Sequence, residues 1–160
     1  MSDLLDMSPM EIVEAIYNFF AKRPMLLGVF VLWIVKFYQA KRPFPESGGR
    51  VEAVHTAEEW EAAKKRGRPM MVDFFATWCG PCRTAAPVFG DLSNVFPGVD
   101  FVKVDVDQLR VAAQECKVNA MPTFIAFDSS GKVVETIRGF NQREIERVLT
   151  SLSSESKKDN

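Results

Sequence analysis

Hydrophobic and polar positions divide this chain into two regimes. Residues 25–35 read MLLGVFVLWIV with no polar side chain, and a mixed stretch from Lys36 to Arg42 follows. A helix that is apolar all round lies in lipid or is buried in protein. Ahead of it, Glu11, Glu14, Asn18 and Lys22 recur at spacings of three and four, with Met10, Val13, Ile16, Tyr17 and Phe20 on the opposite side. That is the pattern of an amphipathic helix. Ser8, Pro9 and Glu11 supply its start signals, and Pro24 its stop.

After residue 50 short apolar runs alternate with helical periods. Thr56 and Glu59 form a capping box for a helix running to about residue 66, where Gly67 and Pro69 end it. Residues 70–75, MMVDFF, are almost continuously apolar, as in a strand covered on both faces. The pattern then predicts a helix over 81–95 with Pro87 inside it, a strand over 101–106 and a helix over 107–117. Strands over 123–127 and 132–137 form a hairpin turning at Asp128-Ser129-Ser130-Gly131. Asn141 caps a last helix ending near residue 152. The organisation is thus two helices in 1–42, a Pro- and Gly-rich linker over 43–50, a domain over 51–152 and a polar tail over 153–160.

Composition narrows the possibilities. The 160 residues carry 20 basic and 21 acidic side chains, a net charge of -1, so no basic excess points to nucleic acid. The basic run at residues 64–68 has Glu58, Glu59 and Glu61 beside it and reads as a solvated helix end. Three cysteines are too few for a disulfide-stapled scaffold, and a single histidine, His55, argues against a histidine-based metal site. No metal or cofactor is expected. Residues 1–50 hold 8 of the 18 aromatic residues.

Residues 25–42 as one helix would extend about 27 Å, against about 30 Å for a bilayer core. Lys22, Arg23, Lys36, Lys41 and Arg42 would snorkel, and Trp33, Phe37 and Tyr38 would sit at the headgroups. The expectation is therefore a membrane anchor at 25–42, the alternative being a helix packed on protein. The acidic residues before this run are unlike a transit peptide, and Tyr38-Gln39-Ala40 is a poor cleavage site.

The chemistry lies at Trp78-Cys79-Gly80-Pro81-Cys82, between a strand and a helix, where C-x-x-C reads as a redox pair. Cysteines three apart on a first helical turn stand close enough to bond. The unpaired N–H groups and positive dipole end of the helix favour a thiolate. Cys79, at the turn, is the expected attacking thiol. Cys82, a turn inside, is the resolving one. Pro81 stiffens the turn between them.

VDFFATWCGPC, then Pro87, FVKVDVD, AMPTF and GF, resembles the thioredoxin family over about residues 51–152. The resemblance implies a thioredoxin fold, an α/β architecture with a central mixed sheet flanked by helices, here preceded by the N-terminal anchor-like extension. It implies that Asp73 is a buried acid passing protons to and from Cys82, with Lys103 beside it. It implies that Trp78 shields the disulfide, flanked by Gly80 and Pro81. It also implies that Pro122 is a cis-proline exposing the Met121 backbone to a substrate strand. A carboxyl among Val72, Phe74 and Phe75 should have a raised pKa. Phe75 and Arg83-Thr84-Ala85 depart from common family residues.

The function so implied is reduction of protein disulfides by the Cys79–Cys82 dithiol in thiol redox homeostasis. A thioredoxin reductase or other dithiol donor would restore the pair. The rival is a membrane-bound adaptor with incidental redox activity. The location implied is a membrane, with the domain facing a reducing compartment such as the cytosol, on an organelle such as the mitochondrion. The alternative is a soluble cytoplasmic protein. Cys116 reads as a small buried hydrophobe or a regulatory thiol.

Overall fold

The computed structural model describes residues 23–40 and 43–156, together with residues 10, 14, 17 and 18. Those four positions are helical, and the rest of the amphipathic segment expected before Pro24 lies outside the described residues. The chain divides into two compact units, residues 1–42 and 43–160.

In the first unit, helix α1 spans Pro24–Ala40. Phe30, Trp33 and Phe37 follow at spacings of three and four and stack, with ring centroids 6.1 and 5.6 Å apart. Leu26, Val29, Leu32 and Val35 are exposed. Seventeen residues rise about 26 Å, short of the roughly 30 Å of a bilayer core. Among the described residues, no helix is long and apolar enough to cross a membrane. The described residues therefore give no support to a spanning anchor at residues 25–42, of which 41 and 42 lie outside them; Lys36 ends the apolar run after eleven residues.

The second unit is built on a five-stranded sheet. Its strands are β1 (Val51–Val54), β2 (Met70–Phe75), β3 (Asp100–Asp105), β4 (Thr123–Phe127) and β5 (Val133–Arg138). Their order is β1-β3-β2-β4-β5. β3 runs parallel to both β1 and β2, whereas β4 is antiparallel to β2 and β5. The sheet is therefore mixed, as the resemblance implied. β2 is central and wholly buried, which accounts for its near-continuous apolar run. β1 was not anticipated: it has four residues, too few for alternation to stand out, and among the described strands it pairs with β3 alone.

Four helices cover the sheet: α2 (Ala57–Lys64), α3 (Gly80–Val95), α4 (Arg110–Glu115) and α5 (Gln142–Ser156). The Thr56/Glu59 capping box forms as read. Strand alternation sends Val72, Phe74, Val102 and Val104 to one face, where they meet Trp60 of α2 and Ala112 of α4. Met71, Phe101 and Phe124 go to the other, where they meet Phe89 of α3 and Ile145 and Leu149 of α5. α4 is shorter than the expected 107–117. The Asp105 carboxylate accepts from the Asp107 backbone N–H and the Gln108 side chain, holding that stretch as a turn. Lys117, at φ 54°, lies just past its far end.

Residues 43–50 pack along α3. The Phe44 ring packs tilted against Phe75 with centroids 4.6 Å apart. The Arg50 backbone N–H donates to Ser93 Oγ at 2.7 Å, and its guanidinium to the Ser93 carbonyl at 3.0 Å. Gly90 lets this segment approach: a Cβ there would overlap the Ser47 carbonyl oxygen.

Candidate active site

β2 ends at Phe75, and a short turn carries the chain through Thr77 and Trp78 into α3. Cys79 is the N-cap residue of that helix, with extended backbone, and Gly80 and Pro81 open the first turn. Proline is tolerated here because the first helical N–H groups have no intrahelical partner anyway. Cys79 Sγ accepts the Cys82 backbone N–H at 3.2 Å, the place an N-cap oxygen normally takes. The same N–H, with the helix dipole, would hold negative charge on that sulfur in the reduced state.

The two sulfurs are joined at 2.06 Å, with Cα atoms 5.3 Å apart. Cys79 is 5% exposed and Cys82 0%. Cys79, expected to be exposed at the turn, is therefore buried in this oxidised pair, with slightly more surface than Cys82. Phe75 and Ala76 pack with the pair, and Met121 and Phe44 lie against the same cluster. Trp78 is 67% exposed and donates from Nε1 to Asp107 at 2.8 Å.

The Met121–Pro122 peptide bond is cis. The Pro122 carbonyl accepts the Gly139 N–H at 2.8 Å, tying this segment to the end of β5. Gly139 has φ 81°, a conformation that favours glycine.

Asp73 lies on β2 two residues before Phe75, on the same face of the sheet. It is 1% exposed, and Oδ1 meets no donor from the described residues. Burial pushes its carboxyl up to about 7, against a smaller downward pull from Lys103. Asp73 and Lys103 are register partners on β2 and β3. Lys103 is largely covered and reaches Glu46 at 3.9 Å. The structure therefore gathers Cys79, Cys82, Trp78, Gly80, Pro81, Met121 and Pro122 around one turn. Asp73 and Lys103 sit in adjacent strands of the sheet face beneath it.

Cys116 is the free thiol of the domain. Burial, then the neighbouring Glu115 charge, pushes it up to about 11. His55 is exposed, and its backbone N–H donates to Glu59.

The contacts of Arg83 and Phe44 here were not visible in the sequence. The Arg83 guanidinium donates to the Thr77 and Pro43 carbonyls and lies 5.6 Å over the Phe44 ring. Phe44 in turn covers Phe75. An aromatic residue amid Pro43, Pro45 and two glycines was the available signal, since a free linker has no need of one.

A vicinal disulfide-forming pair at a helix N-terminus, beside a cis-proline and above a buried acid, defines a thiol–disulfide oxidoreductase. The Thioredoxin family model matches residues 51–151, and the chain belongs to that family. A thioredoxin H-type from Picea mariana is 46% identical over 110 residues, covering 66% of this chain and 87% of that protein. Thioredoxin H3 from Arabidopsis thaliana is 48% identical over 101 residues, 61% of this chain and 85% of its own. Among solved structures, a Nicotiana alata thioredoxin superimposes with a TM-score of 0.61 at 40% identity, over 66% of this chain and 94% of that one. Residues 43–50 precede the part that the family model matches.

Proposed function

We propose that the protein reduces disulfides in other proteins, with Cys79 as nucleophile and Cys82 as resolving thiol, and so serves thiol redox homeostasis. The observation that carries this reading is the Cys79–Cys82 pair capping α3, with Cys79 Sγ accepting the Cys82 N–H.

In the reduced protein, the Cys79 thiolate attacks a substrate disulfide. One sulfur–sulfur bond forms, another breaks, and one substrate thiolate leaves. Cys82 gives its proton to the Asp73 carboxylate and attacks Cys79 Sγ. The second substrate sulfur leaves as a thiol or thiolate, and the Cys79–Cys82 disulfide remains. Two electrons have passed to the substrate. A thioredoxin reductase or another dithiol donor returns them.

Asp73 suits the proton step because, with a pKa of about 7, it exchanges a proton near neutrality. Lys103 steadies its ionised form. Met121 and the cis-Pro122, beside the cysteines, offer an edge on which an extended substrate segment pairs, and Trp78, Gly80 and Pro81 form the rest of the contact rim. A membrane-spanning tether forms no part of this reading.

The test is substrate trapping. Reduced Cys82→Ser protein should retain substrate proteins through a dithiothreitol-sensitive bond at Cys79, whereas Cys79→Ser should retain none. Equal capture by both variants would sink the proposed roles.

A further inference from the structure

The segment from Pro43 to Arg50 lies outside the family-matched residues, yet it is bound along the whole cysteine helix. Arg50 fixes one end at Ser93. Ser47 is buried against Gly90. At the other end Pro43 accepts from Arg83, and the Phe44 ring lies between Arg83 and Phe75. Every one of these contacts is to α3, to the turn before it or to the end of β2.

The position matters for the chemistry. A cleft of about 280 Å³ lies beside the site, lined by Phe44, Pro45, Glu46, Phe75, Lys103 and Asp105. Asp73 and Phe75 share a strand face, as do Lys103 and Asp105. Phe44 and Phe75 are therefore the part of the cleft wall that continues into the β2 face holding Asp73, while Lys103 and Asp105 line the cleft on the β3 side. We propose that residues 43–50 are a working part of the active site, with Phe44 a positioning residue whose ring keeps water in the cleft away from the Asp73 side of that wall.

The inference rests on the proton-relay reading of Asp73. Desolvation is the leading cause of its raised pKa, so whatever completes the wall sustains that shift. The charged and titratable groups around this layer are few. The strap brings Glu46, the end of β1 brings His55, β3 brings Lys103 and Asp105, α3 brings Cys82 and, over Phe44, the Arg83 guanidinium, and the turn before it brings Cys79. β4 opposes Asp73 with Phe124, and α5 contributes Ile145, Val148 and Leu149 to that face. Glu46 is almost fully exposed and 3.9 Å from Lys103, so its charge is a minor influence.

The experiment uses the full chain and measures release from a preformed mixed disulfide, the Cys82 step, between pH 5.5 and 9. In the wild type the rate should rise through the Asp73 pKa. Phe44→Ala removes the wall. Gly90→Ala displaces the strap from a distance, and alanine favours the helix itself. Both should move the rising limb down by about half a pH unit or more, since a better-hydrated carboxyl ionises earlier. Glu46→Gln should move it less. Adding Asp73→Asn to Phe44→Ala should leave no limb to move. If Asp73→Asn alone leaves the wild-type profile intact, the relay reading itself fails. If it flattens the profile but Phe44→Ala and Gly90→Ala lower only the melting temperature, the strap is structural and this proposal alone is overturned. A shift in Glu46→Gln as large as in Phe44→Ala would also overturn it, because charge rather than the wall would then be at work.

Discussion

Asp73 of β2 stands in register with Lys103 of β3, and Lys103 reaches out from that pairing to Glu46. A buried acid is thus placed next to a single largely covered cation, and burial outweighs the cation: the carboxyl lies at about 7 instead of near 4.

This has a consequence for stability. The folded protein holds the Asp73 proton more tightly than the unfolded chain does, so stability is fully present below about pH 4. It falls as pH rises towards and through 7. Asp73→Asn lacks this loss. Its urea midpoint should match the wild type near pH 4 and exceed it at pH 8, by up to a few kcal/mol in unfolding free energy. A variant less stable than wild type at pH 8 would show that the carboxylate is satisfied in the fold.

The cysteines divide the reaction into separable steps. Cys79→Ser should abolish turnover of insulin disulfides. Cys82→Ser should stop after one equivalent of mixed disulfide, visible by mass spectrometry as an adduct at Cys79. Multiple turnovers by Cys82→Ser would mean that another thiol resolves the intermediate.

Cys116 should be a slow nucleophile. With its thiol pushed up to about 11, it is almost wholly protonated at pH 7.5. Iodoacetamide should modify it at least about a hundredfold more slowly than an unperturbed free thiol. Peptide mapping of the reduced protein should find Cys79 labelled first. Faster labelling of Cys116 would point to local opening around α4.

Trp60 should be a stability residue without a role in the exchange. It sits edge-on to Phe74 and Phe127, with centroids 5.9 and 5.8 Å away, and donates from Nε1 to Glu115 at 2.8 Å. Trp60→Ala should cost about 3–5 kcal/mol and Trp60→Phe about 1–2. Because this packing lies on the sheet face opposite Asp73, activity per folded molecule should be unchanged. Denaturant titration beside a reduction assay checks both.

Much of the second unit was legible in local pattern. Capping boxes, strand alternation and the turn at residues 128–131 depend on neighbours within a few positions, so Thr56, residues 70–75 and Gly131 carry their own instructions. The cysteine pair is equally local, because bonding distance and N-cap placement both follow from a spacing of three on one helical turn. Asp73 could be marked as a buried acid because three of its close neighbours are large and apolar.

Other features depend on residues far apart in the chain. Nothing near Phe44 says that its ring will meet Phe75, thirty-one positions on, or that Arg83 will lie over it. β1 becomes a strand because β3 offers it partners, its own four residues being too few to show a period. In residues 25–35 the absence of polar side chains was plain, but a helix's span also depends on where it begins and ends. α1 falls short of the bilayer core. The sequence by itself determined the order of the elements from α2 onward and the dithiol, since both follow from backbone sterics and side-chain patterning over one or two turns. Only the tertiary structure decided the register that places Lys103 beside Asp73, the packing of residues 43–50 on α3 and the degree to which Asp73 is cut off from water. Burial and long-range pairing are properties of the closed chain, and no short window contains them.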